Sequence, residues 1–146
     1  MHIFGDGGQK DFLSSLILEL GLSKKVFLRG KTNRVVDELK RSKIFVLSSN
    51  FEGLSNAVME AMCIGTACVV TDSPSYGNRE LISRGYNGYL VPCNDVNAMA
   101  SQIKRLALDD GLIKRISKNA RRLYETTNST VVVSEWEKYI SKFLKH

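Results

Sequence analysis

Short apolar runs alternate along the chain with segments whose apolar residues recur every three or four positions. The runs are Met1-His2-Ile3-Phe4, Val26-Phe27-Leu28, Ile44 to Leu47, Ala67 to Thr71 and Gly88-Tyr89-Leu90-Val91, the last closed by Pro92. Each has strand length and is followed within a few residues by Gly, Pro or Ser. Phe12, Leu13, Leu16, Ile17 and Leu20 form one stripe of a helix from Lys10 to about Leu20, which Gly21 ends. A short helix is expected over Arg79 to Ile82. Beyond the last strand the pattern is helical. Asp95 is placed to cap a helix carrying Val96, Met99, Ile103 and Leu106. A second helix runs from Gly111 to about Tyr124. A third runs from Val131 to Leu144, with Val132, Trp136, Tyr139, Ile140 and Phe143 near one face. Strands that alternate with helices specify an α/β fold, a parallel sheet covered by helices.

The chain has 146 residues, the size of one ordinary domain with a sizeable core. No repeat, linker or low-complexity stretch divides it, so residues 1–146 are expected to form a single domain. An open parallel sheet usually begins with a strand and helix that precede the ones seen here. The chain opens inside a strand, and upstream material is therefore expected.

Composition narrows the partners. Hydrophobic residues make up 43% and charged residues 25%, which is a globular balance. The net charge is +6, with basic residues concentrated in Lys24–Arg41 and Lys114–Arg122. So basic a chain raises nucleic acid as a partner, but no nucleic-acid module or aromatic stacking ladder is present, and none is expected. An anionic membrane surface, a phosphate ligand or simply solvated faces account for the charge equally well. No apolar run reaches the length of a membrane span. Cys63, Cys68 and Cys93 are odd in number and lack zinc-finger spacing; they read as buried reduced thiols, with a cytoplasmic location. The two histidines, His2 and His146, stand at the two ends of the sequence, which excludes His-based nucleophilic triads.

The candidate chemistry centres on two carboxylates. Glu52 and Glu60 have seven residues between them, in Asn50-Phe51-Glu52-Gly53-Leu54-Ser55-Asn56-Ala57-Val58-Met59-Glu60-Ala61-Met62. This order reads as a buried strand, a tight loop with one carboxylate and a helix with the second. Gly53 permits close backbone approach to a ligand, and Ser55 or Asn56 stands where the helix begins, exposing backbone donors. A helix N-terminus is a ready anion site. Glu60 lies among Val58, Met59, Ala61 and Met62, where a carboxylate needs a partner such as a ribose hydroxyl. A ligand with both phosphates and hydroxyls, such as a sugar nucleotide, suits this set. Gly5-Asp6-Gly7-Gly8 follows a strand and precedes a helix; it reads as a phosphate-cradling turn or a plain connection, without the full dinucleotide spacing. Arg29-Gly30-Lys31-Thr32 lies at a strand's carboxyl end, the ligand edge of an open α/β sheet. Thr71 to Glu80 lies on the same edge and reads as a turn.

The segment Glu52 to Asp72 resembles the signature of retaining glycosyltransferases of family 4, which have the GT-B fold. That signature is the spaced glutamate pair, then Ala61-Met62, Gly65, and a strand ending in Thr71-Asp72. Ile3-Phe4-Gly5-Asp6-Gly7, Val26-Phe27-Leu28-Arg29-Gly30 and Gly85-Tyr86-Asn87-Gly88-Tyr89-Leu90-Val91-Pro92 are similar to flanking segments of that family. The likeness covers about residues 2 to 107, and the closing helices also fit. It implies a Rossmann-like parallel sheet with helices on both faces, the C-terminal half of a GT-B fold with its first strand missing. It further implies that Glu52 contacts donor-sugar hydroxyls and is catalytic, that Glu60 binds the ribose, and that backbone donors of Gly53, Leu54, Ser55, Asn56 and Ala57 meet the sugar and diphosphate. Gly30, Lys31 and Thr32 would border the base, with Gly5 in the donor-binding set. No cofactor or metal is implied, since the nucleotide sugar is the substrate. The stretch Asp72 to Glu80 is similar to a subset using UDP-sugars in cell-surface glycan assembly.

The amino-terminal acceptor domain of that family is absent, as is the segment whose basic side chains grip the diphosphate. Three readings follow. The chain is the donor half of a hexosyl- or N-acetylhexosaminyltransferase, inactive alone, whose full form touches the inner membrane face peripherally. Or it is a non-catalytic nucleotide-sugar-binding module. Or it docks a partner subunit that carries the acceptor site.

Overall fold

The computed structural model describes residues 1–144, so His146 lies outside the described residues. In chain order the elements are β1 (His2–Phe4), α1 (Lys10–Glu19), β2 (Phe27–Gly30), α2 (Val35–Arg41), β3 (Ile44–Leu47), α3 (Asn56–Ile64), β4 (Ala67–Asp72), α4 (Gly77–Leu81), β5 (Tyr89–Pro92), α5 (Val96–Leu108), α6 (Asp110–Ala120), α7 (Leu123–Thr127) and α8 (Ser129–Ser141). All five expected strands are present, and the α/β class holds. Their hydrogen bonding, however, is divided between two small parallel sheets, β1-β2 and β3-β4-β5. The fold is a partial Rossmann-like arrangement of the GT-B kind.

Two compact units result, Met1–Val35 and the residues from Val36 onward. In the first, His2 pairs with Phe27 and Ile3 with Leu28, and a register shift then pairs Phe4 with Gly30. Leu13, Leu16 and Ile17 of α1 are half-buried, while Phe12 and Leu20 of the same expected stripe are exposed. The helix closes as the sequence suggests. Gly21 takes φ +64°, and the amides of Gly21 and Leu22 donate to the carbonyls of Leu18 and Ile17, a Schellman closure.

In the second unit β4 is the middle strand, paired in step with Ile44–Leu47 on one side and with Tyr89–Pro92 on the other. Successive strand residues face opposite ways. Cys68 and Val70 join Val58, Ala61 and Met62 of α3, Leu39 of α2 and Ile82 in one core. Ala67 and Val69 join Tyr89 and Val91 of β5, Leu106 of α5 and Leu112, Ile113 and Ile116 of α6 in the other. Helices thus cover both faces of this sheet, which is why Ala67–Thr71 is an unbroken apolar run apart from its last residue. Asp95 caps α5, its Oδ1 accepting from the Ala98 amide at 2.8 Å, and Asp109 caps α6 through the Leu112 amide at 2.8 Å.

Four sequence expectations are corrected. The helix expected over Gly111 to Tyr124 is two helices, α6 and α7, interrupted at Arg121-Arg122. There Asn119 Nδ2 donates to the Tyr86 carbonyl at 2.9 Å and Arg122 to the Tyr86 hydroxyl at 2.6 Å, tying the turn to the loop before β5. Helix α2 was not expected, because it buries only Leu39 and so has no apolar period. The apolar face of the last helix is not core: Val132, Trp136, Tyr139, Ile140 and Phe143 are all exposed, with Tyr139 meeting Trp136 edge-on and Phe143 at a tilt. Of the three cysteines only Cys68 is buried, and burial pushes its thiol up to about 12; Cys63 and Cys93 are partly exposed, and all three are free.

Ile116 has no exposed surface, whereas Trp136 is 60% exposed. Ile116→Ala is expected to cost about 2–5 kcal/mol of unfolding free energy, and Trp136→Ala about 0.5 kcal/mol or less. Urea denaturation of the two variants checks this ordering.

Candidate functional site

The parallel register places the carboxyl ends of β3, β4 and β5 side by side, at Leu47, Asp72 and Pro92. Ligands in open α/β sheets bind outside this edge. The chain leaves β3 into the loop 48–55, which carries Glu52, and re-enters helix at Asn56. Ser55 is the N-cap residue, with extended backbone at φ −76° and ψ 112°, but its side chain makes no capping bond. Ser55 therefore leaves the first-turn amides of α3 uncapped by its side chain, and this helix end carries the positive pole of the dipole. Gly65, at φ +89°, closes the other end of α3.

The loop is held from β4 and the segment that follows it. The buried Thr71 hydroxyl donates to the Ser49 carbonyl. The Ser73 hydroxyl, also buried, donates to the Glu52 carbonyl at 3.3 Å and shares a 3.1 Å hydrogen bond with the Ser75 hydroxyl. Asn78 Nδ2 donates to the Thr71 carbonyl at 3.2 Å. Cys93 Sγ, at the end of β5, lies 3.5 Å from the Asp72 carbonyl. Gly77 approaches so closely that a Cβ there would stand 2.4 Å from the Gly53 carbonyl oxygen and 2.8 Å from the Leu54 amide.

Glu52 is half-exposed, with exposed Phe51 and Leu54 near it. Glu60 is exposed on α3. Val58, Ala61 and Met62 face the core, while Glu60 points away on another side of the same helix, so its apolar sequence neighbours do not by themselves demand a partner for its carboxylate. Gly53, Leu54 and Asn56 are exposed and Ala57 is half-buried.

The remaining sequence-predicted residues belong to the first unit and lie at the carboxyl end of its own sheet. The Gly5 amide donates to the Gly30 carbonyl at 2.9 Å, and these glycines take φ +136° and +69°. Lys31 Nζ is 4.0 Å from Asp6 in an exposed pair, and Thr32 Oγ1 accepts from the Arg34 amide at 3.0 Å. Gly5, Gly8, Lys10, Leu13 and Gly30 help line a cavity of about 240 Å³. The Gly5-Asp6-Gly7-Gly8 turn thus opens a small cavity as well as connecting strand to helix.

The sequence reads the segment 72–79 as a turn, similar to that of a UDP-sugar-using subset, and names no role for its individual residues. Besides Ser73 and Gly77 it holds a lock of its own. Arg79 donates to both carboxylate oxygens of Asp72, at 2.6 and 2.7 Å, and its guanidinium lies 4.4 Å from the Tyr76 ring centroid. Tyr76 takes a left-handed conformation, φ +60°, unusual for a bulky residue. The hydrogen bonds from Arg79 hold the Asp72 carboxyl below the usual carboxylate range. In the sequence this segment shows its Pro and Gly and its similarity to a UDP-sugar-using subset; its grip on the glutamate loop is a tertiary contact.

The fold and this edge are those of a GT-B-type glycosyltransferase domain. A family model described as glycosyl transferases group 1 matches residues 1–123, and the chain belongs to that family of enzymes. It is 32% identical over 145 residues to an exopolysaccharide phosphotransferase (SCO2592) of Streptomyces coelicolor, covering 99% of this chain and 15% of that protein. It is 32% identical over 136 residues to a poly(ribitol-phosphate) alpha-N-acetylglucosaminyltransferase of Staphylococcus aureus, covering 92% of this chain and 27% of that one. Among solved structures, a mutant of S. aureus TarM in complex with Fondaparinux, alpha-GlcNAc-glycerol and UDP superposes with a TM-score of 0.84 at 32% identity. That match covers 96% of this chain and 28% of TarM. The chain therefore spans a minor part of the length of each of these relatives.

The Asp72–Arg79 pair sets a pH dependence. Asp72 has a lowered carboxyl pKa in the fold, so its contribution to stability is present above the usual carboxylate range and is lost as pH falls through its folded value. Arg79→Met is expected to melt below the wild type at neutral pH. The gap should close as the pH falls through and below the carboxylate range, as thermal melts across an acid series will read.

Proposed function

We propose that residues 1–146 act as one donor-binding domain of a retaining glycosyltransferase that uses a UDP-sugar and delivers a hexose or N-acetylhexosamine to a cell-surface glycan or lipid-linked acceptor. The observation that carries this reading is the Glu52 loop, held at the carboxyl edge of β3-β4-β5 against the N-terminus of α3, which the Ser55 side chain leaves uncapped. UDP in the TarM structure and the transferase activity in the name of the S. aureus relative support it.

In this reading the Glu52 carboxylate accepts hydrogen bonds from donor-sugar hydroxyls and orients the sugar for reaction. Glu60, exposed on α3, accepts from the ribose hydroxyls. The amides between Gly53 and Ala57 donate to the sugar and diphosphate. When the bond from the anomeric carbon to the diphosphate oxygen breaks, negative charge grows on the leaving diphosphate. Backbone donors and the dipole of α3 are already oriented for that charge, which lowers the barrier without reorganisation. The acceptor oxygen forms the new bond on the retained face and gives its proton to the leaving diphosphate, which gains charge as its bond to the anomeric carbon breaks. By the family resemblance, Gly30, Lys31 and Thr32 would border the base, with Gly5 in the donor-binding set. The donor is supplied in the cytoplasm, where the domain would work, peripheral to the membrane in the full enzyme. Among the described residues no helix is long and apolar enough to cross a membrane.

A second reading, donor binding without transfer, is favoured by the small share of each relative that the chain spans. The acceptor domain or a partner subunit would then complete the site. We expect no sugar transfer by the purified chain; turnover that disappears in Glu52→Ala would show the chain to be an enzyme on its own.

Titration calorimetry with UDP, UDP-glucose, UDP-N-acetylglucosamine and GDP-mannose tests the binding site. We expect heat with UDP and a UDP-sugar. Glu60→Ala should weaken UDP about tenfold, roughly 1.4 kcal/mol. Glu52→Ala should weaken the UDP-sugar by a similar factor and leave UDP unchanged. No heat with any of the four at millimolar concentration would overturn the reading.

A further inference from the structure

Glycine at position 53 leaves the Glu52 loop with a swivel. A Cβ added there would meet nothing within 4 Å, so no side-chain packing at position 53 would fix the backbone, and glycine has the widest choice of φ and ψ. A carboxylate one residue away would swing with every change in those angles. Yet both peptide groups that flank Gly53 are engaged from a single segment. The Glu52–Gly53 peptide is held through its carbonyl, which accepts from Ser73 Oγ at 3.3 Å. The Gly53–Leu54 peptide is held by contact with Gly77, where a Cβ would stand 2.4 Å from the Gly53 oxygen and 2.6 Å from its carbon.

The two grips share one support. Ser73 is 1% exposed, so its hydroxyl has no competing water-facing partner. With its one proton given to Glu52, Ser73 accepts from the Ser75 hydroxyl, 3.1 Å away. Asn78, also 1% exposed, anchors the next stretch to the Thr71 carbonyl. Arg79 closes the segment on Asp72 and lies against Tyr76. The strained Tyr76 backbone, φ +60°, delivers Gly77 to the Gly53 carbonyl.

The geometry points to Ser73 and Gly77 as positioning residues for Glu52: together they fix the two peptide planes around Gly53 and so set the angle from which the Glu52 carboxylate meets the donor sugar. This rests on the proposed role of Glu52 as the sugar-binding carboxylate. Neither residue touches the donor; they act through the loop. Their effect therefore falls mainly on the sugar moiety and leaves in place the part of nucleotide recognition that depends on Glu60 and on the α3 amides of Asn56 and Ala57, which neither residue holds.

The test compares affinity for UDP with affinity for whichever of UDP-glucose and UDP-N-acetylglucosamine binds the wild type more tightly. Titration calorimetry is run on the 146-residue chain and on Glu52→Ala, Ser73→Ala and Gly77→Ala. Ser73→Ala is expected to lower the UDP-sugar affinity three- to tenfold while UDP stays within twofold, and Gly77→Ala to do the same or more. Ser75→Ala, which leaves the Ser73–Glu52 bond in place, should have a smaller effect of the same kind. Should Gly77→Ala fail to fold, Ser73→Ala and Ser75→Ala carry the test. If Glu52→Ala lowers the sugar-dependent affinity while Ser73→Ala leaves it unchanged, or weakens UDP equally, the positioning role is overturned and the role of Glu52 stands. If Glu52→Ala itself leaves the ratio of the two affinities unchanged, the reading of Glu52 fails, and the positioning role falls with it.

Discussion

β4 has no solvent-facing side, and the second unit is organised around that fact. Ala67, Cys68, Val69 and Val70 are fully buried, with alternate residues entering two separate cores. A strand hydrogen-bonded on both edges and covered on both faces cannot slip by one residue without exchanging every side chain between the cores. Its register against β3 and β5 is therefore fixed. With it are fixed the places where the three strands end, Leu47 opposite Val70 and Asp72 opposite Pro92, and where their loops begin.

The Glu52 loop is built on that edge. A carboxylate on a glycine-containing loop is a poor positioning device unless the backbone is held from outside. Here the next connection along the sheet supplies the hold. Thr71 lies in the middle strand, and its hydroxyl reaches across to the Ser49 carbonyl; Ser73 does the same for Glu52 two residues later. The rigidity of the core thus reaches the loop through two residues, Thr71 in the strand and Ser73 just beyond it. The price of this arrangement is local strain at Tyr76, which the stacking of Arg79 and its two bonds to Asp72 offset.

The first unit shows a different balance. None of its side chains is fully buried, and its sheet has only two strands. It nevertheless brings Gly5 and Gly30 together at the carboxyl end of its strands and opens a small cavity beside them. Both units present glycine-containing loops at that end. This is where parallel strands leave backbone groups unpaired and where connections are free to vary.

By itself the sequence determined the five strands, the α/β class, the caps Asp95 and Gly21, and the pair Glu52 and Glu60, because each rests on local chemistry. Strand runs are read from burial, helix stops from glycine and caps from short polar side chains, all within a few residues of one another. The resemblance of residues 52–72 to a family signature rested on the same kind of local spacing. What needed the tertiary structure was every relation across the chain. The split into two sheets, the exposed face of α8, the interruption at Arg121-Arg122 and the outward setting of Glu60 each depend on what packs opposite. Ser73 and Gly77 are the plainest case. In sequence they are a serine and a glycine in a turn, twenty-one and twenty-four residues from Glu52 and Gly53. Only parallel pairing of β3 with β4 brings that turn against the loop, because a hydrogen bond and a backbone contact act over ångströms in space, and the chain's order does not encode that distance.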